Sequence, residues 1–297
     1  MQIETPSGNL KLGIHTPIVI QTPGGHARWE EPAGAEELRR VVVTADRLGY
    51  HHLTCSEHIA VPDAQRKWRG VVYWDPVAFL GWAAALTTEI LLATNVVVLG
   101  YDHPVELLKR YATIDQLSGG RVILGVGVGT LQEEFALLGA DFEDRGPRAD
   151  EELDAILAGW GRSDVRYQGD YFSYDQLIVE PHSPRKEPRI WVGGSTRRSL
   201  RRALTVGHGW TPFGLPPDRI LEMLASSDLP PGFDVILPSG PLDPKGSPDQ
   251  TAGMLGELAR CGATGAHAAF VHHSLDDYLE QLEALAEMAQ PGRGRGS

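Results

Sequence analysis

The chain has 297 residues, 42% of them hydrophobic, two cysteines and a net charge of −12. Its length suits one large α/β domain or two small ones, and a (β/α)8 barrel of roughly 250 residues fits it with modest extra loops. The acidic balance opposes binding to a nucleic-acid backbone, no apolar run reaches the roughly 20 residues that span a bilayer, and the first residues carry no secretory pattern. Neither nucleic acid nor membrane is expected as a partner, and a cytoplasmic location follows by default.

Short β-branched runs alternate along the chain with longer segments of helical period, the pattern of βα units around a parallel sheet. Lys11–Thr16 is predicted as the first strand and Ala35–Leu48 as the helix behind it. Tyr50–Cys55 follows, then a polar, Trp-containing loop over His58–Tyr73 and a helix over Pro76–Thr87, which Asp75 and Pro76 open as N-cap and N1 residues. Ile90–Val96 with Pro104–Leu117 makes the third unit, and Arg121–Val126 is the fourth strand. Asp164–Pro184, with Tyr167, Tyr171, Phe172 and Tyr174 around Gly169-Asp170, predicts an inserted β-hairpin after that strand. The remaining strands are Arg189–Val192, Gly209–Phe213, Phe233–Leu237 and Gly265–Val271, followed in turn by helices over Thr196–Val206, Pro217–Ala225, Ser247–Cys261 and Leu275–Ala289. Eight strands is the closing number, so the expected fold is a single (β/α)8 barrel over residues 1–290, with residues 291–297 as a disordered tail. Cys55 in a strand-like run and Cys261 at a helix end do not form a disulfide framework and are expected as buried thiols.

A barrel of this kind carries its chemistry where the βα loops converge, at the C-terminal ends of the strands. Strand two ends in Ser56-Glu57-His58, strand three in Thr94-Asn95, strand four in a Gly125, Gly127, Gly129 run closed by Thr130, and strand five in Gly193-Gly194-Ser195-Thr196. The last of these, followed at once by a helix, is either a tight βα turn or an anion site of backbone N–H groups, and the glycine-rich neighbour favours phosphate. The Gly125–Gly129 spacing resembles a dinucleotide fingerprint weakly, and in a barrel such glycines are expected to give room for a flat ring against backbone. Of the histidines, His51 and His52 are expected only to start a strand, no paired His-x-His marks strand one for a catalytic metal, and His58 beside Glu57 is the candidate acid/base pair. Trp29, Trp68 and Trp74, in the loops after strands one and two, are either walls for a flat organic substrate or ordinary loop packing.

The run Ala93–Val96 through His103-Pro104, then Ala112–Arg121 and Gly125–Gly127, resembles the core signature of luciferase-like monooxygenases. The likeness continues through Glu133-Glu134-Phe135, Leu138-Gly139, Arg145-Gly146, Glu151–Leu153 and Pro188–Gly194, and is densest from about Leu48 to Phe213. Within that family it is similar to the branch that uses coenzyme F420, a deazaflavin with a phosphate and an oligoglutamate tail; other branches use FMN and oxygen. The resemblance implies a hydride transfer between F420 and a small organic molecule, with an FMN-dependent monooxygenase as the alternative, and a homodimer. It places the cofactor ring on Thr94, Asn95, Val96, Gly127 and Val128 with His58 at its reactive face, and the phosphate on Gly193, Gly194, Ser195 and Thr196. It also implies a cis peptide bond between Asn95 and Val96. Thr130 stands where the deazaflavin sugar-phosphate dehydrogenases carry an acid, so that substrate is not expected. Arg66, Lys67 and Arg69 after strand two, and Arg197, Arg198, Arg201 and Arg202 after strand five, are either a selector for the anionic tail or a solvated charge run.

Overall fold

The computed structural model describes residues 1–5 and 8–289, so the expected tail lies outside the described residues. Eight strands, β1 (Gly8–Ile14), β2 (His52–Cys55), β3 (Leu91–Thr94), β4 (Val122–Gly127), β5 (Arg189–Gly193), β6 (Gly209–Thr211), β7 (Asp234–Leu242) and β8 (Gly265–Phe270), pair in parallel in chain order. The closing pair is β8 with β1, at Gly265 opposite Lys11, which makes the sheet the expected barrel. An additional strand, Gln2–Thr5, runs antiparallel to β1 and has no counterpart in the sequence reading.

The helices are α1 (Ala35–Arg47), α2 (Pro76–Leu86), α3 (Pro104–Ser118), α4 (Gln132–Leu138), α5 (Arg145–Gly159), α6 (Arg197–Val206), α7 (Pro217–Ala225), α8 (Pro248–Arg260) and α9 (Leu275–Ala289). Asp75 caps α2 by accepting from the Ala78 N–H at 2.7 Å, and Gly119 ends α3 in the left-handed conformation with φ 69°. α4 and α5 were not anticipated: α4 is only 7 residues long, and α5 opens on Arg145-Gly146-Pro147, which reads as a turn. No helix among the described residues is long and apolar enough to cross a membrane.

Because the strands are covered on both faces, they read as continuous apolar runs. Outward residues such as Leu92, Val122, Leu124 and Val192 join the main core with the helices, while Ala93, Ile123, Trp191 and Ile236 form a separate cluster inside the barrel. Cys55 and Cys261 are free and buried, as expected. The hairpin forms from Asp164–Gln168 and Ser173–Ile178, its turn held by the Glu151 carboxylate, which accepts from the N–H groups of Asp170, Tyr171 and Phe172.

One buried cation fastens the base of the barrel. The Arg121 guanidinium donates to the carbonyls of Ser118, Ala84, Thr87 and Ile90 and to the Thr87 hydroxyl, over distances of 2.8 to 3.1 Å. It thereby ties the ends of α2 and α3 to the start of β3. Arg121→Met leaves those buried carbonyls without a donor, and should lower the unfolding free energy by about 3 kcal/mol in urea titrations. A loss below about 1 kcal/mol would show that water replaces the guanidinium there.

Candidate active site

The ends of β2, β3, β4 and β5 open on a groove of about 590 Å³ that contains nearly every residue proposed from the sequence. Glu57, His58, Asn95, Val96, Gly127, Val128, Gly193, Gly194, Ser195 and Thr196 all line it. Thr94 does not. It is fully buried below the floor, where its hydroxyl donates to the Gly125 carbonyl at 2.7 Å and ties β3 to β4.

Strand three stops at Thr94, the Asn95–Val96 peptide is cis, and Val97–Val98 then resumes pairing with β4. The end of β2 holds this bulge from one side. The Ser56 hydroxyl donates to the Asn95 carbonyl at 2.7 Å, the Glu57 N–H donates to the Val96 carbonyl at 3.3 Å, and the Glu57 carboxyl accepts from the Val98 N–H at 2.6 Å. The strand-four glycines serve the bulge too. A Cβ on Gly125 would stand 1.9 Å from the Thr94 carbonyl oxygen, one on Gly127 would stand 2.6 Å from a Val96 methyl, and one on Gly193 would stand 2.8 Å from the other Val96 methyl. The space expected for a flat ring at Gly125 and Gly127 is therefore taken by the chain's own carbonyl and by Val96, which in turn presents itself to the groove.

His58 pairs with a carboxylate that the sequence reading quoted without a role. Its Nδ1 lies 2.8 Å from Glu134 of α4, whose oxygens also accept from the Ile59 and Ala60 N–H groups and from the Tyr101 hydroxyl. Burial alone would raise the Glu134 carboxyl, but the hydrogen bonds from His58 and Tyr101 outweigh it and hold the carboxyl below its ordinary value. An ionised partner at Nδ1 fixes the proton there and the orientation of the ring. Glu57 behaves in the opposite way. Burial, opposed by the Val98 hydrogen bond and reinforced by Asp102, Asp75 and Glu134, pushes its carboxyl up to about 8.

At the far end of the groove, Gly194 turns into α6 with φ 115°, a conformation that favours glycine. Thr196 spends its hydroxyl as the N-cap, accepting from the Ser199 N–H at 3.1 Å. Arg145 of α5 and Arg198 of α6 line this end, and Arg69 lines the wall while donating to Thr130 at 3.1 Å. Other basic residues are committed elsewhere: Arg66 pairs with Asp63, and Arg197 with Glu222 of α7. Arg198 and the buried Arg202 share Asp150.

Two expectations need correction. His52 is no mere strand opener: it is fully buried inside the barrel, with Nε2 2.9 Å from His267 Nδ1 and Nδ1 2.9 Å from His51. The three tryptophans form no common wall either, since Trp68 is 80% exposed, Trp74 packs on the core, and only Trp29 backs the mouth, by donating to His272 at 2.8 Å. The hairpin lines neither mouth cavity.

The family model described as luciferase-like monooxygenase matches residues 10–228. Protein Rv0953c of Mycobacterium tuberculosis is 30% identical over 220 residues, 71% of this chain and 75% of that protein. The 4-hydroxyprotoasukamycin monooxygenase of Streptomyces nodosus subsp. asukaensis is 33% identical over 196 residues, 65% of this chain and 49% of that enzyme. Protein y4wF of Sinorhizobium fredii is 30% identical over 164 residues, 54% of this chain, and the chain spans 46% of its length. Among solved structures, monooxygenase RslO1 from Streptomyces bottropensis superposes with a TM-score of 0.73 at 23% identity, over 95% of this chain and 99% of that one, a likeness of fold.

The packing and the buried acid can each be tested. Gly127→Ala should cost about 1–3 kcal/mol by driving a methyl into Val96, and Val96→Ala in the same chain should recover most of it; an uncompensated loss would mean that the clash lies elsewhere. Glu57→Gln keeps the acceptor for Val98 and removes the ionisation. The folded chain holds this proton more tightly than the unfolded chain, so wild-type stability should fall relative to Glu57→Gln as pH rises from about 4.5 to about 8. Parallel profiles for the two chains over that window would rule out the buried acid.

Proposed function

The chain belongs to the luciferase-like monooxygenase family, and from that premise we propose that it is an oxidoreductase that passes a hydride between coenzyme F420 and a small organic substrate. The observation that carries this reading is the course of the groove, from the Glu57 and His58 pair at one end to the α6 N-terminus with Arg145 and Arg198 at the other. The donor set fits a flat anionic cofactor: an apolar floor at Val96 and Val128, a glycine turn into a helix N-terminus, and guanidinium groups in an otherwise acidic chain. When bound, a deazaflavin supplies a two-electron hydride carrier.

The residues supply the proton chemistry. His58, with its Nδ1 proton fixed by Glu134, offers Nε2 as a base toward the groove. Glu57, raised to about 8, keeps a proton at neutral pH and offers an acid beside it. Tyr101 and the backbone donors at Ile59 and Ala60 keep Glu134 ionised, so the imidazole is held in one tautomer and orientation. Asn95 and Val96 would back the ring, and Gly193, Gly194, Ser195 and Thr196 with Arg145 would hold the phosphate. Arg69 and Arg198 extend the positive wall toward a longer anionic tail.

A second reading, an FMN-dependent monooxygenase, draws support from the likeness to 4-hydroxyprotoasukamycin monooxygenase. Titration of the purified chain with F420 and with FMN separates the two. F420 should bind at least tenfold more tightly, with an affinity that falls as salt rises, and Arg69→Glu should weaken F420 more than FMN. Tighter FMN binding together with substrate-dependent oxygen uptake would decide for the second reading. His58→Ala should leave F420 affinity within about tenfold while lowering turnover about 10²-fold, and unchanged turnover would remove it from the chemistry.

A further inference from the structure

The barrel mouth holds a second cavity, of about 850 Å³, bounded by the loop after β1 and the ends of β7 and β8. Asn95 is the one residue among those described that lines both this cavity and the groove. The walls are unusual in being imidazole-rich: His15, His267 and His272 face the space, with His26 and Arg28 on the β1 loop. Among the described residues no carboxylate lines it; Glu30 stands behind the wall, 3.7 Å from His272 Nε2, and Glu31 lies 3.6 Å from His26.

The hydrogen bonds fix which atoms these walls present. An indole N–H can only donate, so His272 accepts from Trp29 at Nδ1 and carries its proton at Nε2. Inside the barrel, His52 Nε2 lies 2.9 Å from His267 Nδ1, His267 Nε2 lies 3.3 Å from the Thr211 hydroxyl, and that hydroxyl donates to Asn95 Oδ1 at 3.4 Å. Run in that direction, every imidazole is neutral and every donor has one acceptor. The column occupies Asn95 Oδ1 from below and leaves the Nδ2 donor for the place where the two cavities meet. Burial lowers His15 and pushes His267 down to about 3 and His272 down to about 4, so these three imidazoles are uncharged at neutral pH.

We infer that this second cavity is the substrate chamber, and that it takes a flat, neutral molecule bearing a carbonyl or phenolic oxygen, held by Asn95 Nδ2 against the cofactor groove. The inference rests on the proposed cofactor reading for what lies on the other side of Asn95. An apolar occupant would strand the Asn95 donor at about 1–3 kcal/mol, and an ionised one would meet no buried counter-charge, since Arg28 of the lining is exposed. Flat surfaces come from the imidazoles, Phe270, Pro238 and Pro241.

The probe is 4-hydroxyacetophenone, followed by calorimetry at about pH 6.5 on the full chain, with and without cofactor. It should bind at least tenfold more tightly than anionic 4-hydroxybenzoate or apolar 4-ethyltoluene. Ala269→Trp, which fills the chamber without removing a polar group, should weaken it at least tenfold while F420 and FMN affinities change less than threefold. Asn95→Leu should weaken it by a similar factor, and Ala269→Trp keeps the test informative if that variant does not fold. Probe binding that survives Ala269→Trp, that F420 or FMN displaces competitively, or that favours the benzoate would overturn the inference. If F420 does not bind but Ala269→Trp still abolishes probe binding, the cofactor reading falls and the chamber stands.

Discussion

The interaction on which the mouth depends is the hydrogen-bonded column inside the barrel, from His52 through His267 and Thr211 to Asn95. A barrel lumen is ordinarily filled with layers of branched apolar side chains. Here one cluster is of that kind, with Ala93, Ile123 and Ile236 around Trp191, but the imidazoles of His52 and His267 lie against that tryptophan. Trp191 meets His52 edge-on with ring centroids 4.9 Å apart. The geometry of β1 follows from this choice, because a Cβ on Gly13 would lie 2.2 Å from the His52 ring. A buried polar group without a partner costs about as much as a lost hydrogen bond, so the column is stable only when complete. Its upper end is an amide whose orientation is thereby set from within the core.

The second constraint is steric and meets the first at the same residue pair. Val96 fills the notch that Gly127 and Gly193 leave, while Asn95 is held from below by Thr211 and from the side by Ser56. Three neighbouring strands, β4, β5 and β6, and the end of β2 thus fix two consecutive residues, one by packing and one by hydrogen bonds. The division of the mouth follows: the groove lies over β2 to β5, the second cavity over β1, β7 and β8, and Asn95 stands between them.

Most of the fold was legible because its signals are local. Each strand is a short β-branched run and most helices carry their own start and stop residues, so eight strands and seven of the helices can be counted without knowing a single contact. The strand-end residues were legible for the same reason, since the barrel itself says which ends meet. What escaped was what depends on distance in the chain. His52 and His267 are 215 residues apart, and nothing near either shows that they touch. Glu134 reaches His58 from a helix of 7 residues, too short for periodicity to declare, and its neighbour Glu133 carries the same charge but is exposed. The hairpin was legible as an element but its packing was not: Phe172 lies edge-on to His103, with ring centroids 5.5 Å apart. The glycines of β4 were legible as close approaches, and only the coordinates show that the approaching groups are Thr94 and Val96.

Glu57 and His58 are adjacent in sequence, yet they involve two carboxyl groups held in opposite proton states, Glu57 itself and the Glu134 that His58 bonds. Glu57 lies among other acids, Asp75, Asp102 and Glu134, and has one backbone donor, so burial wins and its carboxyl rises to about 8. Glu134 is also buried, but it has two backbone donors, a phenol and an imidazole, and it stays ionised. Donors outweigh desolvation at Glu134 and do not at Glu57. His58 bonds the ionised one, which fixes the proton on its Nδ1; Glu57 lacks such donors and keeps its own proton at neutral pH. The Val98 N–H at Glu57 and the carboxylate at His58 Nδ1 tie the two side chains to different elements, β3 and its bulge for one and α4 for the other, so two neighbours in sequence line one groove from separate supports.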